Sequence, residues 1–266
     1  MNPQRFDETD LPLGDLAAAG LVQDGRLQLE AADLEALLSG RRTQMITLEN
    51  LESAGMKIAS LKVKLQLVPG ADGKAEILLH PAYRQGVAPR YLSDTEAEAL
   101  ESGEEISFEK AIVDGNGQPK RVLFEFDKET NQFLQTDLDR LIAPEKVNNE
   151  SLSEEQKERF RKGLTVELKD GTKLRYTATT REGLRANRIS LIASIIFDGG
   201  ISYLLFHGIK ALSGQRHNGE SLQQSAGYQD ALREMEQNQA DRPVPQLKLV
   251  SGGPDDEELQ PRNRRR

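Results

Sequence analysis

The sequence predicts an α+β fold, built as repeated small modules of a helix, a glycine and an antiparallel β-hairpin. An apolar helical segment and a disordered tail follow them. Three observations lead there. A similar fifteen-residue pattern occurs at 29–43, 92–106 and 152–166. In each copy a helical period gives way to a strand-like one just after a glycine, Gly40, Gly103 or Gly163. Turn-forming clusters then separate the alternating runs.

The first module occupies 1–88. Its pattern, Leu29 to Thr43, predicts a short helix, and Ile58 to Val68, the turn Pro69 to Gly73, and Ile77 to His80 predict a hairpin. A boundary is expected between Pro81 and Pro89. The second module, 89–143, opens on Ser93 with Glu96 three residues later, a capping-box pair. Ile106, Phe108 and Ile112 precede the turn Asp114–Gly117. Val122, Phe124 and Phe126 then alternate with polar partners, and a turn at Lys128–Asn131 leads to Phe133. The third module, 144–188, begins in the loop Ala143–Asn149 and repeats the cap with Ser153 and Gln156.

Its hairpin permits a register argument. A two-residue turn at Asp170-Gly171 sets Leu168 against Lys173 and mixes charged with apolar side chains on one face. A three-residue loop, Lys169-Asp170-Gly171, pairs Val166 with Leu174 and keeps the apolar face intact, with Gly171 left-handed.

Residues 189–213 form the most apolar stretch. They are read as two helical pieces around the break Asp198-Gly199-Gly200, buried or self-associating. An ionised Asp198 near the centre of a membrane span costs roughly 2.5–3.5 kcal/mol, which disfavours crossing a bilayer. Membrane association nonetheless stays open. Ile195, Phe197, Asp198, Gly199, Gly200, Tyr203 and Phe206 are the candidate oligomer or membrane contacts. Residues 214–266 form a polar, largely disordered tail, with a weak helix over 222–235 anchored by Leu222, Ala226, Tyr228, Leu232 and Met235. From about residue 240 the prolines and the acid run Asp255–Glu258 leave too little apolar surface to offset ordering entropy.

Composition narrows the chemistry. With no Cys among 266 residues there is no disulfide framework, thiolate zinc site or cysteine nucleophile. Three scattered His offer no triad or metal cage. No G-x-G-x-x-G, no G-x-x-x-x-G-K-[ST] and no H-E-x-x-H occurs. No catalytic residue, metal or cofactor is assigned. The residues Met1–Glu8 hold no apolar stretch, so a cytoplasmic location is expected.

The net charge of −8 is unevenly spread. Residues 93–114 carry eight carboxylates against one lysine, a net −7. Residues 144–188 carry eleven basic against eight acidic groups, a net +3. The basic part ends on Arg181, Arg185, Asn187 and Arg188. With Arg41 and Arg42, these are the candidate contacts for nucleic acid or a protein partner. Against this, charges just past a helix end commonly serve the helix dipole and solubility.

Phe6 to Pro12, Leu34 to Thr43 and Leu79-His80-Pro81 together resemble an uncharacterised bacterial domain carried on conjugative transposons and related mobile elements. Asn148-Asn149-Glu150, Leu152 to Arg159, Asp170-Gly171-Thr172 and Ile192 to Tyr203 resemble the same family and its partner domain, so the likeness spans about 6–212. The resemblance implies an accessory factor encoded near DNA-processing genes such as topoisomerases. It carries no established catalytic residues. The expectation is a non-enzymatic accessory protein that binds DNA, DNA-processing proteins or another protein partner through a basic surface. The alternative is an oligomerising or membrane-associated scaffold acting through 189–212.

Overall fold

The computed structural model describes residues 6–23, 26–53, 56–71, 73–188, 190–197, 200–207, 212, 225 and 227–233. After a 3-10 turn at Glu8–Asp10, the chain forms α1 (Leu13–Ala18), the small pair β1 (Val22–Gln23) and β2 (Arg26–Leu27), and α2 (Ala31–Leu38). A sheet of β3 (Ile46–Ser53), β4 (Met56–Pro69) and β5 (Ala75–Pro81) follows. Next come α3 (Asp94–Ser102) and a sheet of β6 (Phe108–Val113), β7 (Pro119–Asp127) and β8 (Gln132–Asp137), then a 3-10 turn at Leu138–Arg140. The third unit holds β9 (Lys146–Val147), β10 (Glu150–Ser151), α4 (Glu154–Arg161), β11 (Val166–Glu167), β12 (Lys173–Tyr176) and β13 (Leu184–Ala186). It ends with β14 (Ser190–Phe197) and β15 (Gly200–His207). The sheet pairings among the described residues are antiparallel. The fold is α+β.

Each helix exists for local reasons. Ser93 accepts from the Glu96 amide while the Glu96 carboxylate accepts from the Ser93 amide, and Ser153 and Gln156 repeat the exchange. Gly40, Gly103 and Gly163 all take positive φ, which lets the chain leave each helix and enter a strand. The third hairpin has the expected register: Val166 faces Leu174, and Gly171 sits at φ 75°.

One strand was not legible. In β3 the alternation of Ile46 and Leu48 breaks at Asn50, which adopts a positive φ of 54°.

Helices α1 and α2 cover the β3-β4-β5 sheet, burying Leu16, Leu37, Leu48, Val63, Leu65 and Leu67. Helix α3 covers one face of β6-β7-β8 with Leu100 against Val122 and Phe124. The other face of that sheet is not solvated. Leu123 joins the largest core, with Leu138, Phe160, Leu174, Leu184 and Leu191.

The apolar segment requires a correction: residues 190–197 and 200–207 are strands, not helices. β14 pairs with β15 from Ser190↔His207 to Phe197↔Gly200, leaving only residues 198 and 199 to connect them. β14 also pairs with β9, Ala193 opposite Val147, so the sheet runs through the boundary expected at 188. The reason is two-sided burial. Leu191 and Ala193 enter the large core, while Ile192 packs on the other face against Tyr228 and Ala231. A strand buried on both faces reads as a continuous apolar run, which periodicity alone does not separate from a buried helix. Residues 227–233 form a helix inside the stretch expected to hold one. Apart from Ser225, the rest of the expected disordered tail lies outside the described residues. No helix among the described residues is long and apolar enough to cross a membrane.

Asn148 ties this layer down. Its side-chain Oδ1 accepts from the Ile192 amide at 3.2 Å, and its Nδ2 donates to Thr172 Oγ1 and Ser225 Oγ, each at 3.3 Å. It holds φ 47°. Helix 227–233 sits so close that a Cβ on Gly227 would lie 2.5 Å from the Asn148 carbonyl oxygen. Asn148→Ala is expected to cost about 2–4 kcal/mol, combining left-handed strain with unsatisfied buried groups. Urea denaturation measures it, and a cost below about 1 kcal/mol would remove Asn148 from this role.

Candidate functional site

The end of α2 is held rigidly. Gly40, at φ 62°, turns the chain, and its carbonyl accepts from Gln66 Nε2 at 3.0 Å. Thr43 exchanges hydrogen bonds with Leu65 through its amide and its hydroxyl, both at 2.9 Å. Between these anchors Arg41 and Arg42 project away from the first module. Arg41 Nε donates to the Arg181 carbonyl at 2.8 Å. Gly183, at φ 71°, makes room for it: a Cβ there would lie 2.9 Å from Arg41 Cδ. Arg42 Nη1 donates to Gln132 Oε1 at 2.9 Å. Burial pulls the Arg42 guanidinium down to about 10, against the pull of Asp127, so it stays charged at neutral pH.

These contacts bring three modules around a cleft of about 330 Å³. The first module contributes Gly40, Arg41, Arg42 and Gln66. The second gives the length of β8, from Phe133 to Asp137, and then Arg140 and Leu141. The third gives Tyr176, Ala178, Thr180 and Gly183. Three arginines face one carboxylate, Asp137, which is itself 3.0 Å from Lys120 Nζ. Behind Gln66, His80 Nε2 meets Gln66 Oε1 at 2.9 Å, and burial lowers the imidazole to about 4. That histidine is neutral at physiological pH and acts as a neutral support to the wall.

Beneath the cleft lies a buried ionic network. Lys64 Nζ donates to Asp127 Oδ2 at 2.7 Å and to the Thr179 carbonyl at 3.0 Å, with Glu129 Oε2 at 2.8 Å. One lysine thus joins all three modules. Next to Asp127 on the same face of β7, Glu125 is fully buried. It accepts from Thr177 Oγ1 at 2.6 Å and from the Ala178 amide at 2.7 Å. Arg175 stands directly opposite Arg185 across β12 and β13.

Burial raises the Glu125 carboxyl above its ordinary 4.5. The native state then holds a proton that the unfolded chain releases. The associated stability is present below pH 4.5 and is lost as pH rises through the raised value. The Glu125→Gln variant should therefore gain stability relative to wild type as pH rises from about 4 to about 8. Denaturant midpoints measured across that range test it, and a pH-independent difference would contradict it.

The arginines singled out from sequence do not form one patch. Arg41 and Arg42 line the cleft. Arg181 only anchors Arg41 through its carbonyl, and its guanidinium bonds Glu30 at 2.6 Å, Asp33 at 3.2 Å and Glu182 at 3.1 Å. Arg185 Nη2 donates to Thr179 Oγ1 at 3.4 Å. Asn187 closes the third hairpin, accepting from the Lys173 amide and donating to the Gly171 carbonyl. Arg188 Nη2 donates to the Asp170 carbonyl at 3.4 Å.

Of the residues proposed for self-association, Ile195 and Phe197 lie on β14, and Gly200, Tyr203 and Phe206 on β15. Asp198 and Gly199 lie outside the described residues. Among the described residues no group of three or more His, Asp or Glu is placed to hold a metal ion. Sequence reasoning missed Gln66, Lys64, Arg140, Tyr176 and the β8 wall. Lys64 carried no local signal: it alternates with Val63 and Leu65 as a solvated strand residue would.

Fold and cleft together define an α+β protein whose three helix–sheet modules close around an arginine-walled cleft. Residues 6–88 match a family model described as a protein of unknown function (DUF4099). No curated protein and no solved structure matches the chain. The matched segment holds Arg41, Arg42 and Gln66, one wall of the cleft. The β8 wall and the wall formed by 176–183 lie beyond it.

Proposed function

We propose that this protein is a non-enzymatic, cytoplasmic accessory factor of a mobile genetic element, and that it binds an anionic partner, protein or nucleic acid, in the three-module cleft. The observation that carries the reading is the convergence of Arg41, Arg42 and Arg140 on one concave surface facing a single carboxylate. Two of these cations are fixed by neighbours, so binding need not order them first, and preorganisation strengthens a contact. Arg140, 78% exposed in its side chain and 3.8 Å from Asp137, is held only by that exposed pair, the kind that contributes little. The mobile-element setting rests on the family resemblance of the sequence.

The test is a pull-down from the native host with wild type and Arg140→Glu, each with and without nuclease. Arg140→Glu is expected to keep the fold and lose the specific partner. A nuclease-resistant loss identifies a protein partner, and a nuclease-sensitive one identifies nucleic acid. An identical set of captured molecules for both proteins would overturn the cleft as the site.

A second reading, self-association or membrane attachment through 189–212, is supported by the position of β15. It is the end strand of the β10-β9-β14-β15 sheet among the described residues. Sedimentation of the full chain at micromolar concentration, with and without lipid vesicles, tests it. A vesicle-free monomer rejects the reading.

A further inference from the structure

We infer that the cleft is a β-augmentation groove, in which an extended peptide of a partner protein, acidic at both ends, adds a strand to the edge of β8. The inference rests on the cleft reading above and names its ligand class.

β8 pairs with β7 and with no other strand among the described residues. In an antiparallel pair, alternate residues direct their N–H and C=O away from the partner. Among the described residues no backbone hydrogen bond from another element closes the outer edge along 133–137; the contact made there is between side chains, Thr136 Oγ1 and Tyr176 Oη at 3.4 Å. The cleft is lined by consecutive residues, Phe133 through Asp137, and so by both faces of the strand. That is the signature of an edge, not of a sheet face.

Proteins usually blunt such edges with charge, proline or shortness. β5 ends in Pro81, and β11 is two residues long. The run Gln132-Phe133-Leu134-Gln135-Thr136 has none of these, and the strand's one charge comes at its last residue, Asp137. Its protection is concavity: the first and third modules wall it in.

The charges set the ligand's pattern. Arg42 donates to Gln132, at the start of β8, and Arg140 lies just beyond its end at Asp137. Six residues of strand span about 17–20 Å. A ligand that uses both ends carries carboxylates about five residues apart, with uncharged, β-favouring residues between. Main-chain hydrogen bonds supply affinity and the arginines supply orientation.

The experiment uses the full chain and an acetylated, amidated hexapeptide with glutamate at both ends and alternating valine and threonine between, followed by calorimetry at low salt. Comparison ligands are the same peptide N-methylated at alternate residues in each of the two registers, a version with lysine at both ends, and an oligothymidylate. The parent peptide should bind. One N-methylated register and the lysine version should bind at least tenfold more weakly. Arg140→Glu should weaken the parent and narrow its margin over the lysine version. Equal binding of parent and both N-methylated peptides would overturn strand addition while leaving an anion-binding cleft. Oligothymidylate binding that depends on Arg140, without peptide binding, would overturn the inference in favour of nucleic acid. No binding of any probe would overturn both.

Discussion

Lys64→Ala should destabilise the protein by about 3–5 kcal/mol, the usual cost of stripping one partner from a buried ion pair. The Lys64 side chain is 1% exposed and its closest partner, Asp127, 2%. Removing the ammonium leaves the Asp127 carboxylate in the interior with one remaining cation, Arg42, at 3.9 Å, and one donor, the Glu129 amide at 3.1 Å. Because Lys64 also bonds the Thr179 carbonyl, the loss falls on the junction of all three modules. Replacing both charges, Lys64→Met with Asp127→Leu, should recover most of the loss, since a buried pair barely exceeds its own desolvation cost. Urea midpoints at constant slope measure both variants. A single-variant loss below about 1 kcal/mol would show that the pair is solvated and the junction open.

The same pair explains which parts of the molecule were legible in the sequence. Registers of local hairpins were. Val166 opposite Leu174 follows from apolar alternation plus one glycine, and both Ser-x-x-Glu/Gln caps formed as expected. Local rules suffice there because the interacting groups are three to eight residues apart.

The polar faces of β4 and β7 were the opposite case. Lys64, Gln66, Glu125 and Asp127 alternate with apolar neighbours, a pattern that normally marks a solvated face. Here those faces meet each other and the third module. Nothing local distinguishes a charge facing water from one facing an opposite charge sixty residues away. The cleft was half legible for that reason. Arg41 and Arg42 stood out beside a helix end, while the β8 wall runs through Phe133, Leu134, Gln135 and Thr136 before its one charge, Asp137, and a lone carboxylate at a strand end draws no notice. The acidic α3 region and the basic third module also do not oppose each other as blocks. Arg121 bridges them, 3.7 Å from Glu109 of the acidic stretch and donating to Glu158 of the third module at 2.9 Å.

Cutting the chain after Arg188 should unfold the third module, although its helix and hairpin would both remain intact in sequence. The cut removes Leu191 and Ala193, both fully buried in the large core, and takes from β9 its neighbour β14. What is left of that sheet is two strands of two residues each, too little to stand alone. Leu191→Ala alone is expected to cost about 2–5 kcal/mol, as a large-to-small change at a fully packed site. The truncation exceeds that, because Phe160, Val147 and Leu152 lose their cover together. Hydrogen exchange resolves the outcome by segment. Protection should collapse across α4, β11, β12 and β13 while β3, β4 and β5 keep theirs. Unchanged protection of α4 in the truncated chain would make β14 a peripheral addition. The expected collapse would make the most apolar segment a core strand, which restricts any role in self-association to β15 and its outer edge.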